Sequence, residues 1–240
     1  MPFRHSVTVV ASPRSRVGKT LLARLLVDFH VQEGRAVEAF DLNSGGSGTL
    51  AQFLPGRTSV SDIATTNGQM ALFDSLVAQD GVYKVVDLGH STFESFFAVA
   101  GQIGFAEEAH RRSIAPAVLF IITPDATAVE AYQGLRARFP HMLLAPVHNE
   151  IFGAAQHRAK YRLAGQSDSL VRLPLLAPGL RNAIDMPPFS FAEERLAASD
   201  IPPEMQNELQ RWLRRAYREF RELDLRLLLA DLKSSIGLGT

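Results

Sequence analysis

The sequence predicts an α/β protein: a three-layer sandwich around a mostly parallel central sheet, with a long helix at its C-terminal end. Three observations point there. Short β-branched runs alternate with stretches that carry apolar residues at helical spacing. The runs are apolar throughout rather than at every second residue, as in parallel strands covered on both faces. A polar loop ending in Gly18-Lys19-Thr20 joins the first run to the first helical stretch.

The elements follow in order. His5 to Ser12 reads as a buried strand, and Leu21 to Gln32 as a helix closed by Gly34. Ala36 to Phe40 is a second strand ending at Asp41, followed by the glycine-rich loop from Asn43 to Gly48. Val82 to Val86 is a third, ending at Asp87, and Ala115 to Thr123 a fourth, apolar on both faces from Val118 to Ile122. Met142 to Val147 is a fifth. After Asn149 the pattern loosens: Ile151 to Ser169 reads as loop and helix, Val171 to Leu176 adds a short strand, and Pro187-Pro188 marks a break. From Pro203 a long helix places Met205, Leu209, Trp212, Leu213, Ala216, Phe220, Leu223 and Leu227 on one face. The expected division is an α/β domain over 1–200 and a helical extension over 201–240.

Composition sets the outer limits. With 240 residues, 46% hydrophobic and 21% charged, the chain can bury a substantial core. Its 25 basic residues balance 25 acidic ones, so binding to nucleic acid or anionic lipid requires a local patch. The absence of cysteine excludes disulfides, thiol catalysis and thiolate metal sites. No apolar run reaches the ~18–20 residues of a membrane span. Val7 to Ala11 is too short for a signal sequence and leads into a charged loop, so the expected location is the cytoplasm.

The loop from Pro13 to Thr20 carries the functional signal. A phosphate loop needs backbone N–H groups converging at a helix N-terminus, a lysine reaching the outer phosphates, and a Ser/Thr hydroxyl on Mg²⁺. Gly18, Lys19 and Thr20 hold those places, although Pro13 stands where the first glycine of G-x-x-x-x-G-K-[ST] would be. The nucleotide-binding candidates are Arg16, Val17, Gly18, Lys19, Thr20 and Leu21. Asp41 and Asp87 end predicted strands at the sheet edge where ligands of open α/β folds bind. With Thr20 they are the candidate metal ligands; with Lys19 they are the candidate catalytic residues. The plainer reading is that each aspartate caps a turn.

These residues resemble the ParA/MinD group of P-loop ATPases with a deviant phosphate-loop motif. The resemblance rests on Arg14-Ser15-Arg16-Val17-Gly18-Lys19-Thr20, on Asp41-Leu42-Asn43, on Val85-Val86-Asp87-Leu88-Gly89 and on Phe120-Ile121-Ile122-Thr123-Pro124. It runs from about Val7 to Leu176 and implies ATP and Mg²⁺ as cofactors, an adenine contact at Asn149, and a homodimer closing over two nucleotides. In that group a lysine at the position of Arg14 reaches the partner's phosphates. Here Arg14 keeps the charge, so the resemblance makes it a fourth candidate catalytic residue, while Ser15 and Arg16 replace two glycines and Pro13 removes a backbone donor. The sequence therefore supports nucleotide binding more strongly than hydrolysis. Pro146-Val147-His148-Asn149 lacks the guanine-reading Asn-Lys-x-Asp pattern, which favours ATP.

Other candidates stay open. His90 lies either near a terminal phosphate or simply in a polar loop. The seven histidines show no metal-ligand spacing. Arg211, Arg214, Arg215 and Arg218 form a basic stripe that could grip DNA or a membrane surface. Interleaved acidic residues make a solvated helix face the favoured alternative. Three functions fit: a nucleotide-driven dimerisation switch regulated by a protein partner, a hydrolysis-deficient nucleotide-binding adaptor, and a metabolic enzyme similar to dethiobiotin synthetase or CobQ-like amidoligases.

Overall fold

The structure is a computed structural model describing residues 5–43, 45–153, 170–192 and 201–237. Its strands are β1 (His5–Ala11), β2 (Val37–Asp41), β3 (Thr58–Val60), β4 (Tyr83–Asp87), β5 (Ile114–Ile121), β6 (Leu143–Asn149) and β7 (Val171–Leu173). The helices are α1 (Lys19–Gln32), α2 (Leu50–Phe53), α3 (Thr66–Leu76), α4 (Phe93–Gln102), α5 (Phe105–Arg111), α6 (Ala126–Arg138), α7 (Pro178–Ile184) and α8 (Pro203–Gly237). A 3₁₀ turn spans Glu150–Phe152.

The strands form one sheet in the order β3-β2-β4-β1-β5-β6-β7, and every described pairing is parallel. Successive crossovers run to one side of β1 through β2 to β4 and to the other through β5 to β7. The order therefore reverses beside the C-terminal end of β1, the crevice where such sheets bind ligands.

Side-chain parity explains the three layers. In β5 every residue is buried. Ala115, Ala117, Leu119 and Ile121 enter a core shared with α1, α7 and α8. Ile114, Val118 and Phe120 face the opposite core, shared with α3 to α6. The unbroken apolar run is thus a strand with two faces to fill. The C-terminal helix completes the first core through Leu209, Trp212, Ala216 and Phe220. Trp212 Nε1 donates to the Pro174 carbonyl at 2.9 Å, and Phe29 of α1 meets the rings of Tyr217 and Phe220 at 5.5 Å. Among the described residues no helix is long and apolar enough to cross a membrane.

Some features lay outside the pattern. β3 is a three-residue edge strand with Val60 exposed, so it lacks an apolar signature. α1 begins at Lys19, two residues before its apolar periodicity; Gly34 follows it with φ of +70°. α1 also buries two charged side chains, Arg24 and Asp28. Arg24 lies 3.6 Å over the Phe53 ring and donates to the Ile184 carbonyl at 2.8 Å. Asp28 accepts from the Ser190 hydroxyl and the Phe191 N–H. Together they fasten the segment after α7 to α1. Most of the loop-and-helix reading for Ile151 to Ser169 lies outside the described residues.

Candidate functional site

β1 delivers the loop Ser12–Gly18 to the crevice, and α1 leaves from it. The turn needs left-handed backbone at two positions. Gly18 has φ of +97°, and a Cβ there would fall 2.7 Å from Asn149 Nδ2. Arg16 has φ of +57°, a conformation that L side chains adopt reluctantly. The loop thus holds an arginine in a conformation that glycine adopts freely. α1 is entered through Gly18 with no side-chain cap and no acidic residue in its first turn. Its first N–H groups and the positive end of its dipole are therefore offered to an anion.

Lys19 is buried, and its Nζ donates to the Arg14 carbonyl at 2.6 Å. Burial lowers its pKa, opposed by the nearby Asp87 charge. Thr20 Oγ1 donates to Asp87 Oδ2 at 2.7 Å. Asp87 is fully buried at the end of β4, and burial pushes its carboxyl up to about 7 against the hydrogen bonds from Thr20 and Asn43. The Asp41 charge raises it further and Lys19 lowers it. Asp87 Oδ1 is buried with no hydrogen-bond partner. A hydroxyl beside a carboxylate with one unpartnered oxygen fits a hard divalent cation such as Mg²⁺. Among the described residues no group of three His, Asp or Glu side chains converges, so such a cation would take most of its shell from phosphate and water.

Asp41 is buried and arranged differently. Its Oδ1 accepts from the Asn43 N–H and Nδ2 at 3.0 and 2.8 Å, and its Oδ2 from the Ala51 N–H at 2.9 Å. One oxygen thus holds the start of the glycine-rich loop, and the other the first turn of α2, to the end of β2. Asn43 Nδ2 also donates to Asp87 Oδ2 at 3.0 Å, so this one amide bridges the two carboxylates. The sequence marks Asn43 as a loop residue but gives no sign of that bridge.

Arg14 lies at the outer rim. Its Nε and Nη2 donate to Asp125 Oδ1 at 3.0 and 2.6 Å. Asp125 caps α6 by accepting from the Ala128 N–H. The hydrogen bond from Arg14, ahead of its charge, holds the Asp125 carboxyl well below the usual range. Asp125 escaped the sequence reading; its only signal was an aspartate just before a helical stretch.

Of these residues Lys19, Thr20 and Asn43 line a cleft of about 450 Å³, together with Ser15 to Gly18, Leu21, His90, Asn149, Ile151 and Leu173 to Leu176; Arg14, Asp41, Asp87 and Asp125 lie behind or beside that lining. Asn149 ends β6; its Nδ2 donates to the Val17 carbonyl at 3.0 Å and its Oδ1 accepts from the Ile151 N–H. Ile151 and Leu175 line the cleft yet are exposed. His90 is exposed at the rim. Arg211, Arg214, Arg215 and Arg218 are exposed on α8 and do not line the cleft.

The sheet order and this loop define a P-loop α/β fold of the ParA/MinD type. The chain is similar to a chain of the MinC:MinD cell division protein complex of Aquifex aeolicus, with a TM-score of 0.51 and 16% identity over 82% of this chain and 97% of that one. It is similar also to a plasmid partition protein of Borrelia burgdorferi B31 bound to AMPPNP, with a TM-score of 0.51 and 12% identity over 92% and 99% of the two chains. No family model and no curated protein sequence matches it.

Proposed function

We propose that the chain binds ATP and Mg²⁺ in this cleft and works as an ATPase of the ParA/MinD kind. In this reading two subunits close over the nucleotides and part after slow hydrolysis, as part of positioning, partitioning or transferring a cargo. One observation carries the reading: the uncapped start of α1, Lys19 and Thr20 line one cleft, and Thr20 hydrogen-bonds Oδ2 of buried Asp87, whose other oxygen has no partner. Lys19 would exchange the Arg14 carbonyl for the outer phosphates. Thr20 and Asp87 would hold Mg²⁺, which when bound neutralises charge on the phosphates. Asp41 would order the loop through Asn43 and support the outer shell of the metal. Asn149 stands at the base end, where Ile151 and Leu175 offer apolar surface to a planar ring.

The reading places the protein in the cytoplasm as a homodimer whose turnover a protein partner regulates. DNA or a membrane surface is not favoured for the arginines of α8. Charges of that helix also serve contacts within the chain: Glu219 accepts from the Arg172 N–H and Arg221 pairs with Glu33.

A second reading, a nucleotide-binding adaptor without hydrolysis, is favoured by Arg14, which is engaged within its own chain by Asp125. One experiment separates the two: light scattering after size exclusion with ATP·Mg²⁺, ADP·Mg²⁺ or no nucleotide, while phosphate release is followed. A dimer formed only with ATP, with slow release, supports the switch. A mass indifferent to nucleotide, with no release, overturns it in favour of the adaptor.

A further inference from the structure

Two of the three cationic side chains of the phosphate loop are engaged through Arg14; the third, Arg16, is exposed and lines the cleft. Lys19 Nζ donates to the Arg14 carbonyl, and the Arg14 guanidinium gives Nε and Nη2 to Asp125 Oδ1. Asp125 does not depend on Arg14 for its place. Its Oδ1 also accepts from the Ala128 N–H at 3.2 Å, and its Oδ2 accepts from the Thr123 hydroxyl. The carboxylate therefore stays fixed and hydrogen-bonded when the guanidinium leaves. The ion pair is also half open to water, with side-chain exposures of 45% for Arg14 and 35% for Asp125. Pairs this exposed are weak and are broken at little cost. A carboxylate and a phosphate engage the same donor fork of arginine, so one guanidinium cannot serve both fully.

We infer that Asp125 is a positioning residue that holds Arg14 within its own subunit, in competition with the phosphates of a bound nucleotide. The inference deepens the proposed function and rests on the phosphate-loop reading. In this scheme the fraction of Arg14 available to phosphate is set by Asp125. Position 125 would then tune how strongly the loop's outer cation engages ligand without touching the ligand itself.

The test is a double-mutant cycle in equilibrium titrations of full-length protein with ATP·Mg²⁺: wild type, Arg14→Ala, Asp125→Asn and the double variant. Asparagine caps a helix about as well as aspartate, so Asp125→Asn removes the charge and keeps the cap. Equal melting temperatures would verify this. Competition predicts that Arg14→Ala weakens binding about two- to five-fold more in the Asp125→Asn protein than in the wild type, because only there is Arg14 released to the phosphates. A purely neutralising role for Arg14 predicts the opposite sign: Arg14→Ala would then cost more in the wild type, where it exposes the Asp125 charge. That sign, or no coupling, overturns the inference. Lys19→Ala, titrated alongside, keeps the two failures apart. Binding by wild type that is lost in Lys19→Ala upholds the phosphate loop whatever the cycle shows. No binding by wild type removes both readings together.

Discussion

The two ends of α1 are built on opposite electrostatic plans. At its start, Gly18 provides no cap, no acidic residue occupies the first turn, and Asp87 has a buried oxygen without a partner. At its end, Arg221 pairs with Glu33 and Arg35 pairs with Asp224, both reaching across to α8. The His30 ring lies against Tyr83 with centroids 4.5 Å apart, and Arg35 is held over the same tyrosine. One helix therefore carries an end completed by its own protein and an end that is electrostatically unfinished. The burial of Asp87 is tolerated at the unfinished end, which is where a nucleotide and a cation would supply partners.

Breaking the unfinished end should have the largest effect. Gly18→Ala forces a side chain into left-handed backbone and against Asn149 Nδ2. It should cost about 1–3 kcal/mol of stability in chemical denaturation and sharply weaken nucleotide binding. Unchanged binding would show that the turn is not what shapes the cleft.

The two ends should also answer pH with opposite signs. Asp87 has its folded-state pKa raised to about 7 from 3.8, so between those values the folded chain holds a proton that the unfolded chain releases. Its contribution to stability falls as pH rises through that window, by at most about 1.4 kcal/mol per pH unit. Asp87→Asn should therefore gain stability relative to wild type from pH 4 to 7 and hold the gain above it. His30 has its pKa lowered to about 3 from 6.5, chiefly by burial. Its contribution is complete above pH 6.5 and is lost as pH falls toward 3. His30→Gln should flatten that acid limb. Denaturant midpoints for each variant at pH 5 and pH 8 check both; a difference from wild type that does not change with pH would contradict either assignment.

The smallest effect belongs to the finished end. Arg221→Ala removes one partly exposed ion pair to Glu33 and should cost under about 1 kcal/mol, leaving nucleotide affinity unchanged. A change in affinity would mean that α8 communicates with the cleft.

Legibility in the sequence followed the same division. The buried strands and the core face of α8 could be read because burial writes a period into the residues: every position of β5, and steps of three and four from Leu209 to Leu227. Gly18, Lys19 and Thr20 could be read because a strand precedes them and a helix follows. Asp125 and the bridge made by Asn43 could not, since each depends on contacts between residues far apart in the chain: 111 positions for Arg14 and Asp125, 44 for Asn43 and Asp87. Spacing along one sequence carries no trace of such pairs. β3 was missed for a different reason: an exposed edge strand of three residues has no face to bury.

The most direct test of the central claim, that the loop before α1 is a nucleotide phosphate site, is an equilibrium titration of wild type and Lys19→Ala with ATP·Mg²⁺. The account predicts one saturable site in the wild type, weakened at least about a hundred-fold in the variant, because Lys19 is the only lysine of the loop and its ammonium is the buried one. Equal affinity in the two proteins would contradict it.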